Sequence, residues 1–359
     1  MKRVLIAALG ALLLQVPLSV SVPVPAAHAV TVQAIASNLD FPAAMSFLPA
    51  GRIVYGERFT GEVRFFDPAT QANTLVWTFT NVATAGEQGL LSVVSHPNYP
   101  TSPYLYAYVT RTVSGKAQNQ IIRVTVNSGV GTAQKILTKI KAGTIHNGGT
   151  LRFGPSGRLH VVTGEIGNPA NAQKTSNLLG KVLRLTAGGR AAPGNPFGNK
   201  VFSFGHRNMF GIDIDPQTGK LWVSENGPGC NDEINPIVSG GNFAWGPSQS
   251  CGVPPDAEDT NRDGPQPRLF PARIYNPTIA PTGAAFCDGC GLGTATEGTL
   301  LFGAWNDGVI RRVTLNATRD GAVSSAVLYD HPQGVLAVVS GTDGRIYFSD
   351  PDQIFVLNP

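Results

Sequence analysis

Short apolar runs recur in pairs along the chain, each pair broken by turn-forming residues. The pairs are 44–47 with 52–55, 91–94 with 104–107, 151–153 with 159–162, 212–214 with 221–223, 284–286 with 300–302, and 336–339 with 346–348. Runs of this length with turn signals between them predict strand, turn, strand. Most pairs are followed by a third strand with an arginine or acidic flank, at 62–65, 121–124, 182–185, 309–312 and 353–356. No long amphipathic helical pattern competes. A supersecondary unit repeated six times, at about 55 residues each, is the signature of a repeat architecture with a slightly long blade. Closing six blades into a ring removes most free strand edges. The pattern therefore predicts an all-β fold, a six-bladed β-propeller, as one domain over residues 30–359. A β-sandwich is the competing arrangement, and one sandwich rarely needs that length. The long connections 164–177 and 246–271 are read as insertions on the propeller faces.

The first 29 residues stand outside this pattern. Lys2 and Arg3 precede an apolar run over 4–14, and Ala27-His28-Ala29 fits a small-x-small cleavage site. This predicts a secretory signal peptide cleaved after Ala29, and a secreted or periplasmic protein. The apolar run is shorter than the roughly 20 residues a membrane span needs. Without Lys2 and Arg3 the formal charge falls from +4 to +2, which gives no argument for a nucleic-acid partner. Gly (42) and Pro (27) are abundant and charged residues are only 14%, which suits a turn-rich β fold. The four cysteines suggest two disulfides in an oxidising compartment, most simply Cys230–Cys251 and Cys287–Cys290. Zinc is the alternative, but only one C-x-x-C is present.

In a propeller the residues just before each inner strand converge on one end of the central channel. Those positions hold Glu87, His146, Arg207 with Asn208, Pro281-Thr282, and Gln333. His146 is a candidate general base. Glu165, at the end of the following strand, is placed to orient its imidazole. Arg207 offers fixed donors to a substrate oxygen or a developing anion. The carbonyls of Gly227 and Pro228 are oxygen donors of the kind that suits calcium. His206 and His331 are read as structural.

Several motifs resemble the glucose/sorbosone dehydrogenase family, and they keep that family's order from about Phe41 to the C-terminus. They are Glu87-Gln88-Gly89-Leu90-Leu91, His146-x-Gly-Gly-x-Leu-x-Phe-Gly-Pro, Ser176-Asn177-Leu178-Leu179-Gly180-Lys181, Gly205-His206-Arg207-Asn208, Glu225-Asn226-Gly227-Pro228 and Asp232-Glu233-Ile234-Asn235. The resemblance implies a soluble sugar dehydrogenase using pyrroloquinoline quinone (PQQ) and calcium, with a sugar substrate and a diffusible electron acceptor. It implies that His146 takes the proton from the C1 hydroxyl as hydride passes to the quinone. Glu165 stands where the family usually has an aspartate. Glu87 matches a sugar and cofactor position, and Arg207 and Asn208 match contacts to the quinone and its carboxylate. Gly227 and Pro228 would hold a calcium that polarises the cofactor. Glu233 either helps a structural metal or fixes the turn.

The chain departs from the family on one wall. Asn306, in Trp305-Asn306-Asp307-Gly308, stands where a lysine is usual, and Gln333-Gly334-Val335-Leu336 offers no arginine. Each missing charge-assisted bond to a tricarboxylate costs about 1.5–3 kcal/mol. Trp305 still offers a ring to stack on a planar cofactor. Asp259-Thr260-Asn261-Arg262-Asp263-Gly264 matches the first half of a calcium loop, with Asp259, Asn261 and Asp263 as ligands, although Phe270 replaces the expected glutamate. Asn316-Ala317-Thr318 fits a glycosylation sequon but reads as a turn. Two other functions share these features: a cofactor-less carbohydrate-binding propeller, and a calcium-dependent lactonase-type hydrolase. The latter needs more axial carboxylates than Glu87 and Glu165.

Overall fold

The computed structural model describes residues 30–247, 251, 265 and 267–359. Residues 1–29, read above as a signal peptide, and the Asp259, Asn261, Asp263 loop lie outside the described residues. The first strand, β1 (Thr31–Ala36), is set aside by the chain until the end. Blade 1 is β2 (Ala44–Phe47), β3 (Ile53–Gly56), β4 (Glu62–Asp67) and β5 (Ala72–Thr78). Blade 2 is β6 (Leu90–Ser95), β7 (Tyr104–Val113), β8 (Lys116–Asn127) and β9 (Val130–Lys141). Blade 3 is β10 (Gly148–Phe153), β11 (Leu159–Thr163), β12 (Lys181–Leu185) and β13 (Val201–Phe204). Blade 4 is β14 (Met209–Ile214), β15 (Leu221–Glu225), β16 (Asp232–Pro236) and β17 (Arg273–Tyr275). Blade 5 is β18 (Pro281–Phe286), β19 (Leu300–Ala304), β20 (Val309–Leu315) and β21 (Ala322–Asp330). Blade 6 joins β22 (Val338–Ser340), β23 (Ile346–Ser349) and β24 (Ile354–Asn358) to β1 as its fourth strand. The fold is a six-bladed β-propeller, as the repeat predicts. One 3-10 turn, Pro169–Asn171, is the only helical element among the described residues, and no helix there is long and apolar enough to cross a membrane.

The continuous apolar runs have a physical cause. Each blade is covered on both faces, so neither side of a strand alternates with solvent. In β3, Ile53 and Tyr55 face the cluster shared with blade 6, while Val54 faces the cluster shared with blade 2. Six such clusters fill the six inter-blade layers. Burying these side chains stabilises each layer by about 25 cal/mol per Å² of apolar surface. Each inner strand packs against the next, and β22 packs against β2, which closes the ring. The last strand, β24, pairs with the first: Thr31 lies opposite Asn358 and Val32 opposite Leu357.

Both expected disulfides are present, Cys230–Cys251 and Cys287–Cys290. Glu297 lies beside Cys287 and Cys290, but both sulfurs are consumed in the bond, which leaves no thiolate for zinc. Asn316 is a turn residue: its side-chain oxygen accepts the N–H groups of Asp320 and Gly321.

Candidate active site

Antiparallel pairing puts the start of each inner strand and the end of its neighbour at one face of the ring. A cavity of about 520 Å³ opens there along the axis. Four inner strands slip register near this end, between Leu90 and Ser92, Gly148 and Leu151, Met209 and Ile212, and Pro281 and Ala284. Such bulges re-aim side chains. Leu91, Thr150, Phe210 and Thr282 fall within them and line the cavity.

His146 occupies the turn before β10 with φ +55, a left-handed conformation that costs a non-glycine residue energy unless its surroundings impose it. The surroundings are dense. Its N–H donates to Glu87 Oε2 at 2.7 Å. The next side chain, Asn147, is buried and donates to Gly143 O at 2.9 Å, while its oxygen accepts Asn119 Nδ2 at 3.0 Å. Gly164, at the end of the neighbouring strand, touches the His146 carbonyl so closely that a Cβ there would sit 2.0 Å from it. The imidazole Nδ1 lies 2.8 Å from Glu165 Oε1, with the two side chains 11% and 1% exposed. The other Glu165 oxygen accepts Asn168 N–H at 3.0 Å. A carboxylate only accepts, so a neutral imidazole in this pairing carries its proton on Nδ1 and its lone pair on Nε2.

Asn208 binds two walls together. Its oxygen accepts Gly148 N–H at 3.1 Å, and its amide donates to Glu87 Oε2 at 3.1 Å. Arg207 is fixed from behind: Glu225 accepts its backbone N–H, and its Nη1 donates to Asn226 O at 2.8 Å. The guanidinium stands over the Trp245 ring at 5.3 Å. Its Nε is buried with no hydrogen-bond partner among the described residues. Burial pulls the Arg207 guanidinium below its ordinary value, against the opposing pull of Glu165, Glu225, Glu87 and Asp232. His206 is structural, as expected: it is fully buried between Glu225 at 2.8 Å and Ser203 at 2.9 Å, and stacks on Phe243. His331 is likewise paired with Asp350 at 2.9 Å.

The other anticipated residues divide. Glu87, His146, Arg207, Asn208, Gly227, Trp305 and Asn306 line the cavity, and Glu165 stands behind His146. Pro228 is exposed and outside the lining, as is Gln333. The Asp232 carboxylate lines it but is engaged by the N–H groups of Gly227, Ile279 and Ala280. Burial nevertheless raises its pKa. Asn306 donates to Thr278 O at 3.3 Å. Lys181, Arg184 and Arg311 do not reach the cavity: they are engaged with loop carbonyls, Asn195 and Asp307 respectively.

Two cations were not legible from the inner-strand rule. Arg58 lines the cavity from blade 1, donating to Gln88 O at 3.0 Å and to Gly86 O, the carbonyls on either side of Glu87. Burial lowers its pKa and Glu87 opposes that. Arg152, on β10, also lines it and pairs with Asp213 at 2.6 Å. A signal for Arg58 exists. It stands two residues after the end of its blade's second strand, as do Glu165, Gly227 and Asn306 in theirs.

A family model described as glucose/sorbosone dehydrogenase matches residues 39–354. Quinoprotein glucose dehydrogenase B of Acinetobacter calcoaceticus is 28% identical, over 88% of this chain and 84% of that protein. Aldose sugar dehydrogenase YliI of Escherichia coli K12 is 28% identical, over 89% of each. The solved PQQ-bound aldose sugar dehydrogenase of Streptomyces coelicolor superposes with a TM-score of 0.78 at 26% identity, covering 93% of this chain and 99% of that one.

Proposed function

Because this chain belongs to the glucose/sorbosone dehydrogenase family, we propose that it is an exported PQQ-dependent dehydrogenase that oxidises the C1 hydroxyl of aldose sugars to lactones. The observation that carries this reading is the buried Glu165–His146 pair, with Nδ1 engaged at 2.8 Å and the ring lining the axial cavity that Arg207 also lines. His146 Nε2 accepts the proton of the sugar's C1 hydroxyl, and Glu165 stabilises the imidazolium that results. The sugar gives up one proton to His146 and two electrons with the C1 hydride, leaving the C1–O1 carbonyl of the lactone. PQQ, when bound, supplies the two-electron acceptor for that hydride, from which the electrons go on to a diffusible acceptor.

The residues present fit such a group on one side. Arg207, with its unpaired buried Nε, and Arg58 would hold its anionic oxygens, Asn208 and Glu87 would border it, and the Trp305 indole offers a stacking surface. Arg58 takes over part of the charge that the family usually places in blades 5 and 6. The carbonyl of Gly227, which lines the cavity, is the proposed calcium ligand, with Pro228 outside the lining a poorer fit, and Asp259, Asn261 and Asp263 are a proposed second site. The neutral wall of Thr278, Asn306 and Leu336 favours one other reading, a carbohydrate-binding propeller that has lost its redox group. Reconstitution with PQQ and calcium, followed by dye reduction with glucose and other aldoses, separates the two. Sugar-dependent reduction supports the dehydrogenase. Sugar binding with neither PQQ binding nor reduction leaves the binding protein.

A further inference from the structure

We propose that the floor of the axial cavity, at Arg152 and Ser46, is a second ligand site for a monocarboxylate with an unbranched apolar tail, its carboxylate on the floor and its tail in the shaft above. The site is separate from the chemistry at His146 and stands whether or not the chain oxidises sugars. The inner strands all start at the mouth, so position along them measures depth. The lining runs from Ala44 to Ser46 on β2, from Leu91 to Val94 on β6, from Gly148 to Arg152 on β10, and down to Val339 on β22. The next residues along, Phe47, Ser95, Phe153 and Ser340, lie outside it. Ser46, Val94, Arg152 and Val339 therefore form the floor. From Gly148 to Arg152 the strand descends roughly 13 Å, at about 3.3 Å per residue.

Three observations at this depth point to an acidic ligand with an apolar body. The shaft wall is apolar, lined by Met45, Leu91, Val94, Ile212, Val338 and Val339. An alkyl chain that fills it removes that surface, and its own, from water. Secondly, the Arg152 guanidinium has one side-chain partner among the described residues, Asp213, at 2.6 Å through Nη2. Asp213 is itself 4% exposed, and its other oxygen accepts Phe286 N–H at 2.8 Å. A guanidinium anchored from behind through one nitrogen is held in orientation and keeps further N–H donors for a ligand. Its side chain is 36% exposed and lines the cavity. Thirdly, Ser46 lines the same floor at 8% exposure, and its hydroxyl has no hydrogen-bond partner among the described residues. A buried hydroxyl left unpaired costs free energy that a ligand oxygen would recover. A carboxylate accepts from both kinds of donor, whereas an ammonium accepts from neither. The acids that line the cavity, Glu87 and Asp232, stand at the mouth end and leave the floor free of a repelling charge in its lining.

Isothermal titration calorimetry of the cofactor-free protein with octanoate, acetate and 1-octanol tests the site. Octanoate should bind about tenfold or more tightly than acetate, which lacks the tail, and than 1-octanol, which lacks the charge. Ser46→Ala should weaken octanoate about threefold or more. Its thermal midpoint should hold or rise, because the hydroxyl has no partner in the fold. Arg152→Met alone would strand Asp213, so it is combined with Asp213→Asn, and the double variant should lose about tenfold or more in octanoate affinity. If the double variant does not fold, Ser46→Ala decides. Octanoate that fails to bind, or binds no more tightly than acetate or 1-octanol, overturns the site. So does octanoate binding that Ser46→Ala leaves unchanged, which would put the ligand elsewhere.

Discussion

Oε2 of Glu87 accepts the backbone N–H of His146 at 2.7 Å, across 59 positions of sequence and from the neighbouring blade. The same oxygen takes the amide of Asn208 from the blade beyond. Glu87 is thus a bracket across three blades, and Arg58 holds the carbonyls on either side of it. Glu87→Ala leaves two donors without an acceptor, at a cost of about 1–3 kcal/mol. Glu87→Gln keeps an acceptor oxygen and should retain most of that stability. Urea midpoints of the two variants check this, and equal midpoints would remove the bracket from the account.

The His146–Glu165 pair predicts a division between chemistry and binding. His146→Ala should lower sugar-dependent dye reduction by about 10²–10⁴ while PQQ affinity stays near wild type. Glu165→Gln should lose a similar factor, because the amide no longer stabilises an imidazolium. Equilibrium dialysis of the cofactor beside steady-state rates separates the two effects. A parallel loss of binding and turnover would make His146 a structural residue.

Lys181 is fully buried in β12, and its ammonium donates to the carbonyls of Asn171, Ala172 and Leu179. These carbonyls belong to the 164–180 connection that carries Glu165. Lys181→Met matches the volume but strands three acceptors, and should cost about 3 kcal/mol. It should also slow turnover by loosening the acid behind His146. Hydrogen exchange over residues 165–180 reads this directly, and unchanged protection there would refute it.

Acid should destabilise the fold through His160. Burial, with Arg184 adding to it, pushes this imidazole down to about 4. The unfolded chain protonates its histidine near 6.5. Between those values the unfolded state binds more protons, so stability falls as pH drops below about 6.5, and this contribution is fully lost near 4. His160→Phe should flatten the dependence between pH 6.5 and 4.5, measured by urea midpoint at each pH. An unchanged slope in the variant would assign the acid sensitivity elsewhere.

Much of the ring was legible because the physics repeats. All six inner strands fall where the paired apolar runs put them, since burial on both blade faces makes each run continuous. The acid, imidazole and guanidinium at the axis were legible because they stand just before inner strands, although Gln333 in the equivalent place stays outside the cavity. Arg58 was missed because it follows a second strand instead. Phe41 was missed because nothing local distinguishes a ring that lines a mouth from one in a turn. β1 was missed because none of its residues is fully buried and its partner lies more than 300 positions away. A pairing at that separation leaves no local pattern.

That pairing of β1 with β24 also makes the propeller a clasp between its first and last strands. Thr31 and Asn358 lie side by side, so in a chain trimmed to residues 31–358 a short linker between them would close a covalent circle. The ring could then be cut in an exposed turn of another blade, such as that at Ser114-Gly115 between β7 and β8. Such a circular permutant would keep every blade and the axial cavity, while moving the seam away from Phe41, which now follows directly on the clasp.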